Sequence, residues 1–144
     1  MQIELLRSDV ASLKVDAIVN PRLARPRDGD DPYATAAEAT SGNLLCKFVI
    51  ESILPPPGAA GAEQHLADTT RAALRRAEAL ALRSIAFPPC HRLTGLPALE
   101  CARAMMAAAL DFAPQARSLE QVVFCAFSEG TYASLQRALE ELQH

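Results

Sequence analysis

The residue order predicts an α/β protein with a mixed or largely parallel sheet and helices on its faces. Short apolar runs rich in β-branched residues alternate with stretches whose apolar residues recur at helical spacing. Strands separated by helices in this way imply crossover connections and helices packed against the sheet. The 144 residues fit one domain spanning 1–144, with no internal repeat or domain-splitting linker.

Ile3 to Leu6 reads as a short strand and Val15 to Val19 as a buried one, stopped by Asn20 and Pro21. The next thirteen residues, Pro21 to Tyr33, hold three prolines, three arginines, three aspartates and a glycine, so an exposed loop is expected. Leu45 to Ile53 reads as a strand, ended by three prolines and Gly58. From Ala62 to Leu80 the period becomes helical, with Leu66, Thr70, Ala73, Leu74 and Ala77 on one face. A short strand at Arg83 to Phe87 precedes a helix from Pro97 to Phe112, striped by Leu99, Ala102, Met105, Met106, Ala109 and Leu110. Gln121 to Phe127 is the last strand, and Thr131 to Leu142 a closing helix. Ligands settle beyond the carboxyl ends of such strands, so the loops after Val19, Phe87 and Phe127 are the ones to inspect.

Composition excludes several classes. Half the residues are apolar, 22% are charged and the net charge is -3, which is ordinary globular composition without a basic field for gripping nucleic acid. No apolar run is long enough to span a bilayer, and the opening residues do not form a signal peptide. Cys46, Cys90, Cys101 and Cys125 have no CxxC spacing and read as buried thiols of a cytoplasmic protein. His65, His91 and His144 form no zinc-ligand pattern, and neither a metal nor a cofactor is expected.

Four phrases, in order, resemble the macro domain family. They are Ser8-Asp9-Val10 with Val15 to Asn20 (VDAIVN), Ala39 to Leu44 (ATSGNL) running into Lys47 to Ile50, Ser84 to Pro88 (SIAFP), and Val122 to Phe127 followed by Tyr132 and a leucine-rich helix. The resemblance implies a three-layer α/β/α sandwich with a crevice for ADP-ribose or a related nucleotide. Family members either bind ADP-ribose or hydrolyse its linkages, with two glycine-containing loops that wrap the diphosphate in backbone N–H groups. By the same resemblance Asp9 matches the acid that accepts the adenine amine, Val10 the neighbour facing the ring edge, and Phe127 the stacking ring. From the residues alone, Asp9 is equally a turn cap and Phe127 equally a core aromatic.

The departures fall on the phosphate loops. After VDAIVN the family's glycine cluster and its helix are missing; only Gly29 lies in the segment, and the asparagine used by hydrolytic members has no counterpart, since Asn20 belongs to the strand motif. Proline there removes a donor, and without glycine the backbone cannot approach a phosphate closely. The second loop reads Cys90-His91-Arg92-Leu93-Thr94-Gly95 and is one residue short; Gly95 can be matched, but Arg92 replaces the inner glycine. A guanidinium is itself able to bind phosphate.

The expected molecule is therefore a macro-like domain with a shortened N-terminal loop–helix region. It is a non-catalytic interaction or structural module whose diphosphate binding is lost or weakened. A module binding adenine nucleotides or ADP-ribose is the alternative, with Arg92 or the arginines at 22–27 contacting phosphate. An ADP-ribosyl hydrolase using His91 or Asp28 is a third. Cys90 beside His91 suggests a nucleophile and base, but adjacent residues rarely have that geometry. A face uncovered by the missing helix predicts a protein partner or a second copy of the chain.

Overall fold

The computed structural model describes residues 1–23, 34–38, 45–54 and 56–143, with 34–38 described by backbone alone. The Arg/Asp-rich loop from Arg25 to Asp31 and the ATSGNL phrase lie outside the described residues.

One sheet holds β1 (Gln2–Leu6), β2 (Ala17–Arg22), β3 (Ala34–Glu38), β4 (Phe48–Ile53), β5 (Ser84–Phe87) and β6 (Gln121–Cys125), in the spatial order β1-β6-β5-β2-β4-β3. Five of these strands run parallel, and β3 pairs antiparallel with β4 at one edge. The helices are α1 (Ala62–Ala79), the one-turn α2 (His91–Thr94), α3 (Ala98–Phe112) and α4 (Glu129–Leu142). None of the described helices is long and apolar enough to cross a membrane.

The crossovers β4–α1–β5 and β5–α3–β6 step the same way along the sheet. Right-handed crossover then sets α1 and α3 on one face, and α4 packs beside α3. The β1–β2 connection steps the opposite way and so covers the other face, with a 3-10 turn at Val10–Ser12. Among the described residues, that second face is packed by the segment between β1 and β2.

Period-2 alternation divides the sheet residues between them. Ile85, Phe87, Val122 and Phe124 face the helices, where Leu66, Leu74, Met105, Met106 and Leu135 pack on them. The Phe87 and Phe124 rings stack with centroids 5.3 Å apart. Ile18, Ala86, Val123 and Cys125 face the other way, against Val10, Leu13 and Val15. All four of these sheet residues are buried.

The VDAIVN and SIAFP phrases lock to each other. The Asp16 carboxylate accepts from the Arg83 backbone N–H at 2.8 Å, and the Asp16 N–H donates to Ser84 Oγ at 2.9 Å. The Asp16 carbonyl also accepts from Lys47 and Phe48 at the start of β4.

Several elements differ from expectation. β2 continues through Pro21 to Arg22 because β5 pairs with it only at Ala17 and Ile18. On that side Pro21 faces no ladder partner, so its missing N–H costs nothing. β3 was hidden in alanine-rich sequence, and pairing with β4 overrides that local preference. Leu110, expected inward, is 36% exposed, while Cys101, Ala108 and Phe112 complete the buried face of α3. The last strand stops at Cys125, leaving Phe127 outside it.

Candidate functional site

β1, β6 and β5 lie side by side and end at Leu6, Cys125 and Phe87. The chain leaves β1 toward one face and β5 toward the other, so their loops part over the end of β6. Open parallel sheets bind ligands in such a crevice. Here it is a cleft of about 360 Å³, lined by residues 8–10 after β1, residues 88–93 after β5, and Cys125, Phe127, Ser128 and Thr131 at the β6–α4 junction. Asp9, Val10, Cys90, His91, Arg92 and Phe127 all line it; Thr94 and Gly95 do not.

At one end, Asp9 caps the 3-10 turn, its Oδ1 accepting from the Ala11 N–H at 3.1 Å. The turn-cap role read from sequence therefore holds, and the same carboxylate borders the cleft. Phe127 is no core residue: its side is 79% exposed at the cleft. Its backbone is nonetheless held. Arg7 Nε donates to the Phe127 carbonyl at 3.4 Å, Ala126 N–H bonds to the Leu6 carbonyl, and Ser128 caps α4 by accepting from the Thr131 N–H. A large apolar ring is thus displayed to solvent from a fixed base.

At the other end, the Cys90-to-Gly95 segment forms α2. The Leu93 and Thr94 N–H groups donate to the Cys90 carbonyl at 3.1 Å, and the Gly95 N–H donates to the His91 carbonyl at 3.0 Å. The Leu96 N–H donates to Thr94 Oγ1. These four consecutive amides are engaged inside the turn and do not form an open cradle. Gly95 ends it at φ +76, a conformation that favours glycine. Thr94 is buried, donating to the Cys90 carbonyl and lying 3.3 Å from Cys101 Sγ, which makes it a brace between α2 and α3.

The paired nucleophile-and-base reading of Cys90 and His91 gains no geometry. Cys90 is buried, with Sγ 3.7 Å from Met105 Sδ. A hydrogen bond with the Cys101 thiol, and then burial, push its thiol well above the ordinary range, so it stays protonated. Burial, and then the neighbouring Arg92 guanidinium, hold His91 below its ordinary value and therefore neutral at pH 7. Cys125, on the cleft floor, is pushed up to about 11 by burial and then by the Asp9 charge, and its Sγ donates to the Phe87 carbonyl. Asp28 lies outside the described residues. Asn20 is exposed on β2, paired with Glu51, and is not among the described residues lining the cleft.

Sequence reasoning overlooked Ser8, Arg7, Ser128 and Thr131. Ser128 was findable, since a serine just before Glu129 and a helical period is an N-cap signal. Arg7 carried no such signal, because its partner lies 120 residues away.

Sheet order, parallel pairing and the cleft at the strand ends define a macro-type α/β domain. The chain belongs to the macro domain family, whose model matches residues 22–105. It is 29% identical to an O-acetyl-ADP-ribose deacetylase of Klebsiella pneumoniae, over 96% of this chain and 97% of that protein. In fold it is similar to a mutant macrodomain of Oceanobacillus iheyensis, with a TM-score of 0.85 at 20% identity, covering 98% of this chain and 92% of that one. It is also similar to the Trypanosoma brucei macrodomain in complex with ADP-ribose, with a TM-score of 0.80 at 22% identity, covering 95% of this chain and 68% of the other.

Proposed function

We propose that the protein is a macro domain that recognises an adenine nucleotide without hydrolysing it. The observation that carries this reading is Phe127, an exposed ring on a fixed backbone across a cleft that Asp9 and Val10 also line. An exposed phenylalanine costs solubility and gains nothing from the core, whereas stacking on a purine contributes on the order of 1–3 kcal/mol. The cleft favours ligand recognition over a purely structural or interaction role. A binding role rather than a catalytic one is supported by the buried, protonated Cys90 and by the glycine cluster missing after VDAIVN.

Thermal unfolding with adenosine tests the adenine end. A ligand that binds only the folded state raises stability by RT ln(1 + [L]/Kd), or about 2.7 kcal/mol at a hundredfold excess over Kd. The expected result is a rise in Tm that Phe127→Ala removes; a rise that survives Phe127→Ala places the base elsewhere.

The Klebsiella relative's name favours a second reading, cleavage of an ester on ADP-ribose. Release of acetate from O-acetyl-ADP-ribose by this chain would support it and overturn the binding-only role.

A further inference from the structure

At the phosphate end of the cleft the described loop after β5 presents a guanidinium side chain beside few open backbone amides. The amides of Leu93, Thr94, Gly95 and Leu96 all have acceptors within the turn, which leaves those of His91 and Arg92 as the N–H groups of residues 91–96 with no described acceptor. Arg92 is the one formal cation among the described lining residues, since His91 is held neutral. Arg92 is exposed and makes no ion pair with a described residue. Asp9, the one described lining carboxylate, comes from the loop after β1, whereas Arg92 comes from the loop after β5.

A guanidinium fork matches a terminal phosphate well. It offers two parallel N–H donors to two oxygens, and a monoester near pH 7 concentrates almost two charges and three acceptor oxygens on one group. A pyrophosphate linked at both ends carries about one charge on each phosphorus and so offers the fork a weaker single target. The cleft is large enough for a nucleotide that ends in one phosphate. At about 360 Å³ the cleft lies near the bottom of the roughly 300–1,000 Å³ range of ligand pockets.

Resting on the adenine reading above, we infer that the cleft selects a nucleoside monophosphate over both the free nucleoside and ADP-ribose. Arg92 is its specificity-determining residue.

Calorimetric titration of the whole chain with adenosine, adenosine 5′-monophosphate and ADP-ribose tests this. The monophosphate is expected to bind roughly tenfold tighter than adenosine, the gain of a charge-assisted hydrogen-bonded pair. It also binds tighter than ADP-ribose. Arg92→Ala should bring the monophosphate down to the level of adenosine, and Arg92→Lys should restore part of the difference, because lysine keeps the charge without the fork. Equal binding of adenosine and the monophosphate to the wild-type chain overturns the inference and leaves the adenine reading standing. So does tighter binding of ADP-ribose, or a monophosphate preference that survives Arg92→Ala. Failure of adenosine and the monophosphate alike overturns the adenine reading, and this inference with it.

Discussion

Asp9 serves the fold and the cleft at once, and the two roles separate by substitution. Its Oδ1 satisfies the Ala11 N–H, a bond that asparagine makes nearly as well and alanine cannot make. Asp9→Ala should therefore cost about 1 kcal/mol in urea denaturation, with Asp9→Asn close to wild type; equal losses in both variants would assign the effect to charge. Glu78 is a second residue with a defined task. It sits in the last turn of α1, where the helix dipole disfavours a carboxylate, yet it accepts from the backbone N–H groups of Arg117, Ser118 and Leu119. Partial burial acts to raise its pKa, and those donors outweigh it, leaving the folded-state value below the ordinary 4.5. In the window below 4.5 the unfolded chain binds the proton more readily. The contribution is thus fully present above 4.5 and fades as pH falls through the lower folded value. Glu78→Gln should cost about 1–2 kcal/mol at pH 7, allowing for the group's contact with solvent. Its gap from wild type should narrow in acid, as followed by melting curves across pH; a gap independent of pH would count against the carboxylate nest.

α1 ends in a way its sequence does not advertise. The Leu82 N–H reaches the Ala77 carbonyl and the Ala81 N–H reaches the Glu78 carbonyl, the two bonds of a Schellman stop. The position between helix and strand that this motif gives to glycine is held by Ala81 at φ 56. Left-handed backbone costs an alanine about 1–2 kcal/mol, while glycine carries an entropy penalty of roughly 0.5–1 kcal/mol in the unfolded chain. Ala81→Gly should therefore stabilise the protein by about 0.5–1 kcal/mol; a lower melting temperature would show that the stop is held by other contacts. α2 illustrates the opposite case. Arg92 sits inside a helical turn that Gly95 closes at positive φ, and that turn engages the amides of Leu93, Thr94 and Gly95.

Five strands (β1, β2, β4, β5 and β6) and the three long helices contribute to a core that holds the stacked Phe87 and Phe124. Nothing in the described residues divides that core, so unfolding should be one cooperative step. Phe124→Ala removes a fully buried ring and should cost about 3–5 kcal/mol. Helical and aromatic circular dichroism should shift to the same lower midpoint; separate midpoints would reveal two units. The same architecture explains why a cleft exists at all. β1 and β5 flank β6 and send their loops to opposite faces, so a crevice opens there whatever residues line it.

Much of this was legible in the order of residues. The buried strands and amphipathic helices were found because burial imposes a period of 2 or 3.6 on local sequence, and Asp9, Val10, Arg92 and Phe127 were found through phrases attached to those strands. Sequence alone thus determined the order of five strands and the three long helices, the family, and six of the thirteen described residues that line the cleft. Only the tertiary structure decided that Phe127 is displayed rather than packed and that Pro21 continues a strand. It also decided that alanine-rich Ala34–Glu38 pairs at an edge and that Asp16 ties β2 to Arg83 and Ser84. Each of these depends on what lies beside a residue across the sheet, and such neighbours are brought together by chain segments tens of residues apart, which leave no local pattern.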